Sequence, residues 1–452
     1  MIWIESKTLY KKLAVVALPI AVQSLIASSL SLVDNLMVGS LGETELAAVG
    51  IAIQIFFVHW MVMFGFTSGS ATFMAQFWGA GELGSIRKTI GFAVCVCMGA
   101  SLFFFIAALF FPAQVMRLFT NIPEAIELGT GYIRMGALTF LTVSITVPFT
   151  SALRATQQTR IPLYISIFVF TTNTFLNYVF IFGSFGAPKL GVFGAALATA
   201  IARCVELTLV LYFVFGRKNR IAAPVREFFG WNRAFAMRIV HNAVPTTINE
   251  TMWGLGTAMY TAAYARIGVT AYAAVQASNT INNLFVMAAF SIGDAALILI
   301  GERLGRGELE YGFALGKRLL RIAACVGVVC GLLLILCAKP LIGLFDFTPL
   351  GEKYTFMLLV IYGVYMPINL VNGANITGVL RSGGDTRYAM ISEVLCVWLI
   401  GVPMAFFATM YLQLPIYLAV ILVKLEDVVK FFIIFRRFIS KKWVKNVIHN
   451  ME

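Results

Sequence analysis

Charge is what this sequence has least of. Only 12% of its 452 residues are Asp, Glu, Lys or Arg, about half of the roughly 25% a soluble domain carries, and mean hydropathy is +0.87. A water-soluble fold is excluded. Acids are scarcer than bases, 21 against 34, giving a formal net charge of +13. The basic residues sit between apolar runs instead of forming one stripe interleaved with a surface motif, so nucleic acid is not an expected partner. No cysteine pair has CxxC spacing: Cys95, Cys97, Cys204, Cys325, Cys330, Cys337 and Cys396 all fall within apolar runs and read as small packing residues. The three histidines, His59, His241 and His449, are scattered without metal-ligand spacing. Nothing fits G-x-x-x-x-G-K-[ST], and GAGEL and GRGEL read as short connectors, so ATP hydrolysis by this chain is not expected. With no nucleophile or metal constellation, the chain does not read as an enzyme and no cofactor is expected. The start, MIWIESKTLYKK, is not closely followed by an A-x-A-like cleavage site, so the first apolar span is expected to be retained.

What the sequence does contain is 60% hydrophobic residues in continuous runs of helix length. A membrane β-barrel would instead need roughly ten-residue segments of alternating polarity. The expected fold is an all-α polytopic membrane protein of twelve transmembrane helices, at residues 13–38, 46–72, 89–111, 126–152, 161–183, 191–215, 239–264, 271–300, 320–338, 354–379, 388–410 and 415–435. With the N-terminus inside, one face collects Lys7, Lys11, Lys12, Arg87, Lys88, Arg154, Arg160, the cluster from Arg217 to Arg238, Arg303, Arg306, Lys317, Arg318, Arg321, Arg381, Arg387 and the tail from Arg436 to Lys445. The other face holds Arg117, Lys189, Arg266, Lys339 and Lys353, an asymmetry of about five to one that places both termini in the cytoplasm.

An internal repeat runs through the chain. Pro19 recurs as Pro245, Gly42 as Gly268, Ala47-Ala48-Val49 as Ala273-Ala274-Val275, and Gly79-x-Gly81-Glu82-Leu83 as Gly305-x-Gly307-Glu308-Leu309, each 226 residues on (245 − 19 = 226). LRATQQTR at Leu153 to Arg160 returns one residue out of step as LRSGGDTR at Leu380 to Arg387. Six spans per half is even, so the halves are parallel repeats, pseudo-symmetric lobes that can rock about a central cavity. The expected domains are an N-lobe over 1–215, a cytoplasmic linker over 216–238, and a C-lobe over 239–452 ending in a basic tail.

A carboxylate in hydrocarbon costs at least about 2.5 kcal/mol, so each one there is a functional candidate by default. Asp34 lies far along the first span. Asn173 and Asn177, one helical turn apart in the fifth, and Thr199 in the sixth complete an oxygen-rich set that could hold a proton or a partly dehydrated Na⁺; helix-packing glue is the bland alternative. Glu250, five residues past Pro245, has no basic residue within a helical turn, which favours a cavity-facing role as cation attractor or second coupling site; Asp294 is a weaker candidate of the same kind. Arg203 and Glu206, three apart, read as a neutralising pair. Arg134, Glu393, Lys424, Glu426, Asp427 and Lys430 read as snorkelling or interhelical pairs. Phe56, Phe57, Trp60, Phe64, Trp253 and Tyr260 could line a cavity for flat cations, but with 39 Phe in the chain lipid-facing packing is the default.

The stretches LPIAVQSLIASSLSLVDNLMVGSLGETELAAVG, LRATQQTRIP, NTFLNYVFIFG, GVFGAALATAIA and VLRSGGDTR together resemble the multidrug and toxic compound extrusion (MATE) family of secondary antiporters, over nearly the whole chain. The resemblance implies a multi-pass inner-membrane exporter of drugs and organic cations, functioning as a monomer and driven by H⁺ or Na⁺. By it, Asp34 matches an N-lobe acid coupled to substrate release, with Asn173, Asn177 and Thr199 as its neighbours. Glu250 matches a seventh-span acid of the NorM-like branch. That branch also has a tenth-span Asp, where this chain reads INLVNGAN with Asn369, Asn372 and Asn375. Exchange at Asp34 is expected to bias the packing of the first helix, with Pro19 and Pro245 as hinges. A lipid-linked saccharide flippase is the alternative; it favours a strongly basic cavity, and few intramembrane Arg residues are present.

Overall fold

Continuous apolar runs can satisfy their backbone in lipid only by helix, and the chain folds accordingly. The computed structural model describes residues 2–343, 345 and 347–449, with side chains described except at 2–10, 43, 288 and 289; Lys7 of the expected cytoplasmic set therefore lies outside them. In order the helices are α1 (Ile2–Gly39), α2 (Glu43–Ala80), α3 (Leu83–Phe110), α4 (Pro112–Arg117), α5 (Pro123–Gly136), α6 (Leu138–Ala155), α7 (Arg160–Phe182), α8 (Val192–Leu211), α9 (Val225–Phe228), α10 (Arg233–Ala265), α11 (Val269–Gly305), α12 (Leu309–Ile342), α13 (Pro349–Gly373), α14 (Thr386–Cys396), α15 (Val402–Phe406) and α16 (Ile416–Ile439). Wide π-type turns extend α8 through Tyr212–Gly216, α13 through Ala374–Leu380, and link α14, α15 and Tyr411 through Val397–Gly401 and Phe407–Tyr411. Among the described residues ten helical stretches are long and apolar enough to cross a membrane. The twelve-helix plan is completed by α10 and α16, whose buried Glu250, and Glu426, Asp427 and Lys430, dilute their apolar character. The fourth span is two helices, α5 and α6, meeting at Ala137.

The chain divides into two compact units. One comprises Val22–Met74 and Gly81–Ile239; the other comprises Met1–Ala21, Ala75–Ala80 and Val240–Glu452. In the first unit α7 and α6 pack on α8, and α3 on α6. Phe56 stacks on Phe140 at 4.8 Å over a core of Ala52, Ile55, Ala108, Met116 and Ile133. The segment 216–238, expected to be a linker, is docked here. Phe228 is buried against Phe149 and Phe215, Arg87 pairs with Glu227 at 2.8 Å, and Gln158 and Asn219 exchange amide hydrogen bonds of 2.6 and 3.1 Å. A Cβ on Gly91 would lie 1.9 Å from Phe228 O, so glycine is what lets this segment settle on α3. Its apolar residues, Ile221 and Phe228 among them, explain why a charged stretch does not remain a free tether.

In the second unit α12 and α11 pack on α13, and α13 on α16. Here the C-terminal ends of α2 and α11 cross through repeat-related glycines: a Cβ on Gly79 would lie 2.0 Å from Glu302 O, and one on Gly305 would lie 1.9 Å from Gln76 O. The pairing is reciprocal, since 76 + 226 = 302 and 79 + 226 = 305. The basic tail folds back over this crossing. Gln76 donates to Ser382 O at 2.7 Å and Lys445 O at 3.1 Å and accepts from Val447 N at 2.8 Å, while Trp443 is fully buried against Phe438 and Phe313.

Candidate functional site

In the unit of the first half, three helices bring four polar side chains into one hydrogen-bonded line. Asn173 and Asn177 share one face of α7 because four residues make slightly more than a turn. Asn177 Nδ2 donates to Asp34 Oδ1 of α1 at 2.5 Å and to Asn173 Oδ1 at 3.0 Å; Asn173 Nδ2 donates to Thr199 Oγ1 of α8 at 3.3 Å. Both asparagines are buried, Asp34 and Thr199 half-buried. The structure thus places Asp34, Asn173, Asn177 and Thr199 together. Beside them Val38, Val49, Ile181, Val192 and Ala195 form an apolar cluster against which Tyr132 packs, which thins the water around the carboxylate.

Charge near Asp34 is sparse. Arg203 lies within electrostatic reach but is held by Glu206 at 2.7 Å, the pairing its spacing suggests. Asn177 Oδ1 is buried without a hydrogen-bond partner. One carboxylate, an open amide oxygen and a hydroxyl are hard oxygen donors, suited to a proton or a monovalent hard cation and ill-suited to soft metals. Among the described residues no group of three or more His, Cys, Asp or Glu could hold a metal ion.

The other sequence candidates belong to the second unit or run through it. Glu250 of α10 is buried and pairs with Arg381, which lies just beyond α13. The partner that spacing denies it within a helical turn comes from 131 residues away, so its charge is met by an ion pair. Asp294 is half-buried on α11. The chain stays helical through both Pro19 and Pro245. The division between the units crosses α1 at Ala21 and Val22, two residues past Pro19.

Sequence reasoning missed the extent of a second polar cluster. Lys430 Nζ lies 2.6 Å from Glu426, 3.5 Å from Glu393 and 3.6 Å from Asp427, and Lys424 is 2.8 Å from Asp427. Tyr260 is not a lipid-facing aromatic, because its hydroxyl donates to Glu426 at 2.5 Å, and Asn249 Nδ2 donates to Glu393 at 2.8 Å. The i, i+3 and i+4 spacing within α16 signalled the pairs; the partners from α10 and α14 had no signal.

The MatE family profile matches residues 19–179 and 245–407, two copies whose starts are 226 residues apart (245 − 19). The chain is 25% identical over 450 residues to "Probable multidrug resistance protein NorM" of Thermotoga maritima, covering 99% of this chain and 96% of that protein. It is 25% identical over 410 residues to "Multidrug resistance protein MdtK" of Edwardsiella ictaluri, covering 89% and 87%. The fold matches a solved structure of MATE in complex with MaL6 with a TM-score of 0.87 at 17% identity, over 96% of this chain and 97% of that one.

Proposed function

We propose that this chain, which belongs to the MatE family and is a multi-pass membrane transporter, exports organic cations and other amphipathic compounds in exchange for H⁺ or Na⁺. Relatives named for multidrug resistance along nearly their full length support the substrate class. The observation that carries the coupling is the line Thr199–Asn173–Asn177–Asp34, four oxygen-bearing side chains joined inside one unit. An incoming proton or Na⁺ neutralises Asp34, and the open Asn177 Oδ1 offers it a further lone pair. Neutralisation changes what α1 gains by holding its carboxylate against α7. A ligand can shift a conformational equilibrium only by its differential affinity for the two states, and this charge change supplies that difference. Pro19, whose ring removes one main-chain donor from α1, is the place where the helix can yield; Pro245 stands at the matching position of the second repeat. Alternating access then carries substrate outward. The protein acts as a monomer in the inner membrane, with both termini in the cytoplasm, as the basic asymmetry favours.

Purified protein in liposomes tests this directly. A pH gradient or a Na⁺ gradient, imposed separately, is expected to drive an organic cation such as ethidium against its own gradient. D34N is expected to abolish that coupled movement while inserting normally. Full retention of coupled efflux by D34N would remove Asp34 from the mechanism, and movement under neither gradient would remove cation coupling altogether.

A further inference from the structure

The polar cluster on α16 does not balance its own charge. Three carboxylates, Glu393, Glu426 and Asp427, surround two ammonium groups, Lys424 and Lys430, leaving a net −1 (2 − 3). All four residues around Lys430 Nζ, the lysine included, are at least nine-tenths buried: Glu393 is 8% exposed, Glu426 5%, Asp427 7% and Lys430 4%. Among the described residues the other titratable groups facing them are phenols and a thiol, which bring no positive charge: Tyr260 on Glu426, Tyr264 near it, Tyr362 beneath Lys424, and Cys396 on the helix that carries Glu393. An uncompensated charge at this depth is expensive, and buried ion clusters persist where every charge is met.

A shortage of hydrogen accompanies the shortage of positive charge. Asn249, whose Nδ2 is on Glu393, and Asn372, whose Nδ2 donates to Asp427 O at 2.8 Å, are 3% and 4% exposed, and the Oδ1 of each has no donor. Buried acceptors without donors are rare and call for a missing donor. One added hydrogen on a carboxylate cancels the surplus charge and, on Glu393, supplies one O–H donor at the carboxyl group that already holds the Asn249 amide. A metal ion does not fit, because the Lys430 ammonium already occupies the centre of the carboxylates and would repel a second cation.

We propose that the Glu393–Lys430–Glu426–Asp427 cluster is a proton-binding site of the second repeat that holds one proton shared among its carboxylates. It is separate from Asp34 and from the Glu250–Arg381 pair, and it does not depend on what the protein transports. The bookkeeping makes the number of bound protons follow the number of lysines and acids. Glu393→Gln leaves two acids and two lysines and needs no proton; Lys430→Met leaves three acids and one lysine and needs two.

Infrared spectroscopy of purified full-length protein in lipid reads the C=O stretch of un-ionised carboxylic acids. In a D34N background, which silences the first-half acid, one such band is expected, to be lost in D34N/E393Q and about doubled in D34N/K430M. Equal carboxylic-acid absorption in D34N and D34N/E393Q, or no gain in D34N/K430M, would overturn the assignment. Misfolding does not imitate the result, since one variant must lose the band and the other must gain.

Discussion

Asn177 uses both of its amide hydrogens, one on Asp34 and one on Asn173, and keeps its carbonyl open. A hydrogen bond to a charged group contributes about 1.5–3 kcal/mol, so Asn177→Ala is expected to slow coupled efflux by about ten- to a hundredfold, Asn173→Ala by less, and Thr199→Val least. Initial rates in the same liposomes measure this ordering; an equal effect at all three positions would show that the line does not act as a line. Removing the partner of a buried charge costs about 3–5 kcal/mol, so Arg381→Leu is expected to lower the melting temperature sharply in detergent, with Glu250→Gln/Arg381→Leu recovering much of the loss. The four residues of the first cluster were legible because a carboxylate and paired amides in an apolar run have few reasons to be there. Arg381 was not, because the 131 residues between it and Glu250 leave no periodic trace, and Arg381 itself reads as one more basic residue at a helix end. Glu393 and Lys430 read as snorkelling or interhelical charges, and the fold pairs them across α14 and α16 at 3.5 Å; which partner each would take left no periodic trace.

At the scale of elements, the crossing of α2 and α11 depends on the absence of side chains. Cβ atoms are essentially never found within 3.0 Å of another heavy atom, yet at Gly79 and Gly305 the nearest backbone oxygens would be at 2.0 and 1.9 Å. Gly305→Leu is expected to push these helices apart and lower thermal stability more than Gly307→Ala. Gly307 has open space about its Cβ position, and its φ of +78° is the only source of strain there. The tail makes a complementary prediction. Trp443 is fully buried, so Trp443→Ala is expected to cost about 3–5 kcal/mol, seen as a fall in melting temperature. The repeated glycines were visible in the sequence as a motif, but their contact was not, since periodicity places residues on faces without saying what a face meets. The tail and the 216–238 segment were read from their charge; their few apolar residues, Trp443, Ile221 and Phe228, decide where they rest.

For the whole molecule, the duplication written in the 226-residue interval and in the two profile matches does not translate into two self-contained halves. The unit containing most of the second half also takes Met1–Ala21 and Ala75–Ala80. Severing the gene within the loop after Gly216 would therefore yield two polypeptides of which neither encodes an entire unit. Each fragment expressed alone is expected to be degraded, and simultaneous expression to rescue both, measurable by immunoblot of membranes. Whatever ancestor was doubled to make this chain, its descendants have since lent pieces to one another, and the two copies have forfeited their independence.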